Sequence, residues 1–236
     1  MTTNITQSLS ERYRPTTLDD LVLAPVTAER LLAFRDYLAH PKPKAWLLHG
    51  ETGLGKTTLA RIAVRHFREK YRAHVIEEAG PRVRDEMVED WGRTFCGDRW
   101  FTDTPTLIFI DEADAMSKKA MFSIRTVIEG GYANNLHWIM TSNQLPKKFG
   151  RALKSRLRAI PFSDQGLAPR MADHLVRISQ KEGHALSDKE AMAIVRRNGN
   201  DIRSAVNELE AIICANRFRS VVGGEVDPHV ASTAAH

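Results

Sequence analysis

The stretch HGETGLGKTT, from His49 to Thr58, restricts the fold of this chain more than any other. It fits the pattern G-x-x-x-x-G-K-[ST], with Gly50, Gly55, Lys56 and Thr57 in the fixed places and Glu51, Thr52, Gly53 and Leu54 between them. Glycines let the backbone turn tightly, so that successive N–H groups converge on a phosphate. In such a loop Lys56 reaches the β- and γ-phosphates of ATP, and the hydroxyl of Thr57, next to Thr58, takes a place on Mg²⁺. The flanks agree with that use. AWLLHG, from Ala45 to Gly50, reads as a buried strand entering the loop. TTLARIAVRHF reads as a helix leaving it, with Leu59, Ile62, Ala63 and Phe67 on one face and Arg61, Arg65 and Arg68 on the other. Strand, loop and helix together add the positive end of a helix dipole to an anion site.

TLIFIDEADAMS, from Thr106 to Ser117, is the second informative stretch. Four large apolar residues, Leu107 to Ile110, form a strand buried on both faces that delivers Asp111 and Glu112 to the carboxyl edge of a sheet. Carboxylates at that place are costly unless they meet a cation or a substrate. Beside a phosphate loop, Asp111 is expected to hold Mg²⁺ and Glu112 to orient and deprotonate the attacking water. Asp114 reads as an acid decorating a helix N-terminus.

Further strands are expected over His74–Gly80, Leu136–Asn143 and Ala159–Phe162, alternating with helices. The pattern predicts an α/β fold over residues 1–162: a five-stranded parallel P-loop sheet with helices on both faces. Within it, Ser10–Val22 reads as an extended arm before a turn, and Thr27–Leu38 as a helix with Leu31, Leu32, Phe34, Tyr37 and Leu38 on its apolar side, closed by Pro41–Pro43. A helix opened by Pro81 follows the second strand, and one stopped by Gly130 and Gly131 follows the third. After a linker, residues 163–218 are helical only and predict a three-helix lid whose second helix opens on a capping box, Ser187 with Glu190. Its third helix carries Ile202, Val206, Leu209, Ile212 and Ile213 on one side, and residues 219–236 read as a tail. Asn143, at the tip of the fourth strand, is placed to meet a γ-phosphate or position the water, although a lone Asn after a strand is more often a turn residue. Arg156 lies just after a short helix and before an apolar strand, and a surface arginine is the plain alternative that the pattern alone leaves open.

Bulk properties exclude rather than identify. No apolar run approaches the roughly 18 to 20 residues needed to span a bilayer. The start, MTTNITQSLSERYRP, lacks a basic segment followed by an apolar core, so no secretory signal is read there. Cys96 and Cys214 stand alone, which argues against structural zinc and for a reducing, cytoplasmic setting. The nine histidines show no metal-binding spacing and read as surface or packing residues. The net charge of +5 is compatible with a polyanionic partner without demanding one.

The set of motifs resembles the AAA+ ATPases, and within them the small ATPase subunits of sliding-clamp loaders. The narrower likeness rests on ERYRPTTLDDLV near the start, SNQ at Ser142–Gln144, LKSRL at Leu153–Leu157 and NDIRSAVNELE at Asn200–Glu210, and runs from Glu11 to Ala215. The resemblance implies that Tyr13, Arg14 and Val22 line an adenine pocket and that Asn143 is the sensor 1 residue reading the γ-phosphate. It implies that Arg156 is an arginine finger offered to a neighbouring subunit's nucleotide, and that Arg203 is the sensor 2 residue on the lid. It further implies that Arg82, Arg84, Lys118, Lys119 and Arg125, on helices after the second and third strands, track primer-template DNA, a solvated basic face being the competing view.

The sequence departs from the family pattern in places. Met121 stands where many clamp loaders carry a glutamine coupling DNA to hydrolysis, Leu157 replaces a cysteine and Asn200 a glycine. The sequence stops after the lid, where such subunits usually carry a collar domain, so oligomerisation is expected through the ATPase interface or another chain. The leading expectation is therefore a DNA-associated ATPase that hydrolyses ATP at subunit interfaces and loads a sliding clamp. A helicase loader or other DNA-processing ATPase of a phage or mobile element is the second. A nucleotide-gated assembly module with little turnover is the third.

Overall fold

A strand buried on both faces has no reason to alternate in polarity, and three apolar runs of the sequence become the three central strands of one sheet. The computed structural model describes residues 7–42, 44–96, 104–130, 135–144 and 149–222, the side chains at 96 and 219–222 excepted. Strands β1 (Ala45–Gly50), β2 (His74–Ala79), β3 (Thr106–Asp111), β4 (Leu136–Ser142) and β5 (Leu157–Phe162) lie in the order β2-β3-β4-β1-β5, every neighbour parallel. The helices are α1 (Leu9–Arg12), α2 (Pro25–Ala39), α3 (Lys56–Tyr71), α4 (Asp85–Cys96), α5 (Lys118–Glu129), α6 (Gly150–Lys154), α7 (Ala168–Lys181), α8 (Asp188–Arg197) and α9 (Ile202–Val222). Among the described residues, no helix is long and apolar enough to cross a membrane.

Side chains alternate across each strand, and the two sets go to different helices. Ala45, Leu47, Ile108, Ile110, Leu136, Trp138 and Met140 form one core with Val88 and Trp91 of α4, Ala120, Met121 and Ile124 of α5, and Leu153 of α6. The other set meets α2 and α3. Phe34 packs edge-on to Trp46 with centroids 5.0 Å apart, and Phe67 packs edge-on to His137, also at 5.0 Å. This alternation places Asp111 on the α3 face with Leu107 and Phe109. β4 separates β3 from β1, so the ends of β1, β4 and β3 stand side by side at the carboxyl edge.

The chain divides into two compact units, Pro15–Arg170 and Met1–Arg14 with Met171–His236. The sheet and its helices make the first. In the second, the opening arm packs with the C-terminal helices rather than lying extended. Leu9, on the single turn α1, is buried and its N–H donates to Glu210 Oε1 at 3.1 Å. The Tyr13 hydroxyl donates to Glu182 at 2.8 Å, and Arg12 pairs with the same carboxylate at 2.9 Å. The capping box of Ser187 and Glu190 forms as expected.

Other differences have local causes. Pro81 opens a 3₁₀ turn, Gly80–Arg82, and α4 begins only at Asp85, because Val83 is extended and buried between them. On α2, Leu32 is 67% exposed while Leu31, Phe34, Tyr37 and Leu38 are buried, the apolar stripe being narrower than the run of leucines. β5 starts two residues earlier than expected, directly after Arg156. On α9, Val206, Leu209 and Ile213 are buried, whereas Ile202 and Ile212 are half-buried. Pro43, Gly131 and the tail from 223 onward lie outside the described residues.

His137 is a packing residue, as its isolation in the sequence implies. Its Nδ1 lies 2.9 Å from the Tyr37 hydroxyl, and burial holds its pKa at about 4, below the usual 6.5. A depressed imidazole pKa contributes stability that is fully present above pH 6.5 and is lost as pH falls through about 4. The shift corresponds to about 3 kcal/mol. Urea midpoints measured from pH 7 down to pH 4 should therefore fall, and in His137→Gln the fall should be visibly shallower; an identical slope would refute the assignment.

Candidate active site

The loop after β1 needs glycine for two different reasons. Gly50 has φ 145°, and a Cβ there would sit 2.1 Å from Phe162 O, so β5 leaves no room for a side chain. Gly55 has open space around it, but its φ of 95° is the left-handed backbone from which α3 starts. Leu54 is buried and pins the loop, while Glu51 and Thr52 are exposed. The first N–H groups of a helix lack intrahelical partners, and at α3 those of Lys56, Thr57 and Thr58 open onto the loop.

Lys56 is 6% exposed, and its Nζ donates to Gly50 O at 2.8 Å and Glu51 O at 2.5 Å. Burial lowers its pKa, against the opposing pull of Asp111, Asp114, Glu112 and Glu51. His49 is buried too; burial first, then the charges of Lys56 and Lys154, lower its pKa.

Asp111 ends β3 and draws two hydroxyls onto one oxygen. Thr57 Oγ1 donates to Asp111 Oδ1 at 3.0 Å, and Thr141 Oγ1, from β4, donates to the same atom. Thr141 Oγ1 also accepts the Glu112 N–H at 2.9 Å. Glu112 is exposed and adopts φ 55°, ψ 47°, a left-handed conformation uncommon for a glutamate and of a kind that clusters at functional sites. Gly80 makes that bend possible, since a Cβ there would lie 2.1 Å from Glu112 O.

Asp114 is more than a charge at a helix end. It is buried and accepts the backbone N–H of Asn143 at 3.2 Å, fastening the tip of β4 to the turn after β3. Asp114 and Thr141 are the residues that sequence reasoning missed. The available signal for Thr141 was the pair of hydroxyl residues, Thr141 and Ser142, that closes a largely apolar strand. Asn143 itself is exposed at that tip.

The remaining candidates lie elsewhere. Arg156 is exposed, with Nε 2.9 Å from Glu129 Oε1. Val22 is buried in the sheet unit, whereas Tyr13, Arg14 and Arg203 belong to the helical unit, where Arg14 pairs with Glu11 at 2.6 Å and Arg203 is exposed. Among the basic residues, Lys119 pairs with Asp85 at 2.5 Å and Arg125 with Glu129 at 2.7 Å. Arg82, Arg84 and Lys118 are exposed and make no ion pair among the described residues.

The donors fit a hard cation. No group of three or more His, Cys, Asp or Glu among the described residues is placed to hold a metal by itself. Mg²⁺, however, commonly takes one or two protein oxygens plus phosphate oxygens and water, and the Thr57 hydroxyl beside the Asp111 carboxylate is such a pair.

The sequence profile of the AAA family, ATPases associated with various cellular activities, matches residues 46–164. The chain therefore belongs to the AAA ATPase family. The replication factor C small subunit of Natronomonas pharaonis is 31% identical over 94% of this chain and 65% of its own length. Replication factor C subunit 5 of Arabidopsis thaliana is 31% identical over 88% of this chain and 56% of its own. The chain thus spans less than two thirds of these curated relatives. Among solved structures, the Thermotoga maritima RuvB Holliday junction branch migration motor superposes with a TM-score of 0.65 at 19% identity, covering 89% of this chain and 67% of that one. That likeness is one of fold.

The Thr141 hydroxyl bridges Asp111 and the Glu112 amide, so Thr141→Val should lower ATP turnover about 10- to 100-fold, the usual cost of losing a group that orients a ligand of the metal. Thr141→Ser should recover most of it. Steady-state turnover beside a thermal melt checks both.

Proposed function

We propose that this ATPase acts as a clamp-loader-type subunit, hydrolysing ATP at the interfaces of an oligomer that places a sliding clamp on primed DNA. The observation that carries the chemistry is the single Asp111 oxygen shared by Thr57 and Thr141, which joins the ends of α3, β3 and β4 beside the phosphate loop. Residues Gly50 to Thr58 cradle the phosphates with backbone N–H groups, and Lys56 contacts the β- and γ-phosphates. Thr57 and Asp111 hold Mg²⁺, which when bound supplies positive charge against the phosphate oxygens. Glu112 takes the proton of the attacking water, and Asn143 senses the γ-phosphate. Arg156 completes the neighbouring subunit's site, where a guanidinium meets charge spreading over the transferred group.

Replication factor C relatives and the motif set support this reading, and Arg82, Arg84, Lys118, Lys119 and Arg125 supply the phosphate contacts. One observation favours a second reading, a helicase loader or other DNA-processing ATPase. Lys119 and Arg125 already face carboxylates, which weakens the basic channel that a clamp loader needs.

Glu112→Gln should bind ATP normally and lose turnover by roughly 10² to 10⁴, the usual worth of a general base. Nucleotide binding measured beside hydrolysis tests this, and undiminished hydrolysis removes Glu112 from the role. Replacing Arg84 and Lys119 together should weaken primed-DNA binding and reduce the slope of log affinity against log salt by about 2. An unchanged slope favours the second reading.

A further inference from the structure

Arg156 is exposed yet held on two sides. Its Nε lies 2.9 Å from Glu129 Oε1, and its Nη1 donates to Ser155 Oγ at 2.6 Å and to Ala152 O at 3.2 Å. Its Nη2 makes no hydrogen bond among the described residues. Glu129, the last residue of α5, accepts the Nε of Arg125 on the same oxygen at 2.7 Å, one turn back on the same helix. The hydrogen bond from Arg125 first, and then the charges of Arg125 and Arg156, hold its carboxyl below the usual range.

Stability is a poor explanation for this trio, because exposed ion pairs contribute only about 0 to 1 kcal/mol. Orientation is a better one. A free arginine side chain carries about 2 kcal/mol of rotamer entropy, and its planar fork recognises phosphate only when it arrives in the right plane. The Nη1 bonds to Ser155 and Ala152 set that plane, the Glu129 carboxylate draws the Nε side to it by charge, and the Nη2 edge is left for another acceptor. One carboxylate against two guanidiniums also leaves the group with a net positive charge. Arg156 is thereby aimed without having its attraction for a polyphosphate cancelled.

We propose that Glu129 is the positioning residue for Arg156, holding its Nε edge so that the Nη2 edge meets the nucleotide of an adjoining copy of this chain. This rests on the reading of Arg156 as a group acting between subunits, and the experiment separates the two.

Two chains are mixed with ATP and primed DNA. An Arg156→Ala chain keeps Glu112 but lacks the guanidinium, and a Glu112→Gln chain keeps Arg156 but lacks the base. If Arg156 acts between subunits, the mixture regains turnover that neither chain has alone. Adding Glu129→Gln to the Glu112→Gln chain should then reduce the regained turnover tenfold or more, part of the ~10³ to 10⁵ that such an arginine contributes. The KM for ATP and the assembled mass should stay as they were. The same substitution in the Arg156→Ala chain should have much less effect, since no Arg156 is there to be held.

Full turnover with the altered donor, an equal loss from either chain, or failure of the altered donor to assemble each overturns the role of Glu129. No regained turnover from the parent pair overturns the intersubunit reading of Arg156, and this inference with it. Ser155→Ala, which removes the other side-chain acceptor, carries the same test should Glu129→Gln unfold; an undiminished donor overturns the positioning.

Discussion

A carboxylate at the end of a strand buried on both faces has to be met by donors, and the sheet unit is arranged around that requirement. Asp111 occupies this position, and its Oδ1 takes Thr57 from α3 and Thr141 from β4. Hydrogen bonds to a charged group contribute about 1.5 to 3 kcal/mol each, more than an ordinary one. The parallel register explains how they meet. Phe109 pairs with Ile139 and Ile110 with Met140, so the next step brings Asp111 level with Thr141, and both side chains fall on the face covered by α3. One oxygen thus fixes where the helix begins, where two strands end, and how the phosphate loop lies between them.

The same junction sets the course of the chain beyond β3. Thr141 holds the Glu112 amide, so the chain turns at Glu112 through a left-handed conformation instead of continuing the strand. Gly80 at the end of β2 accommodates the displaced carbonyl, and Asp114 fastens the tip of β4. The strain at Glu112 is accordingly held by neighbours on both sides, the condition under which such conformations persist. Lys56 shows the matching compromise. Its ammonium is buried, which disfavours charge, while four carboxylates around it favour charge. Burial is the larger effect in the balance, so the surrounding acids reduce its cost without cancelling it.

Much of this was legible because buried parallel strands and phosphate loops leave strong marks. Leu107 to Ile110, with acids directly behind them, could be read as a central strand feeding a site, and β1 and α3 followed from the loop between them. What could not be read depends on which neighbour a residue meets. Leu32 matches the apolar period of α2, yet only the cover provided by β5 and α3 decides that Leu31 is inside and Leu32 outside. Asp114 looks like any acid at a helix start until the tip of β4 arrives beside it. The arm around Tyr13 looks extended until Glu182 on the helical unit collects Arg12, Tyr13 and Arg217. Each miss is a tertiary contact overriding a local pattern.

The basic residues illustrate the same limit for function. A net charge of +5 gives no position, and the structure distributes that excess unevenly. Lys119 faces Asp85 directly and also feels Glu86 and Glu89, all on α4. The Lys119 ammonium is itself exposed, so pairing with Asp85 alone does not remove Lys119 from a DNA surface. Three acids left beside an incoming phosphate are a different matter, because their repulsion is not removed when the lysine changes partner. The contacts least opposed by their surroundings are therefore Arg82, Arg84 and Lys118, which are exposed and make no ion pair among the described residues. A polyanion approaching this face would be gripped from the turn before α4 and the start of α5, not along the acidic flank of α4.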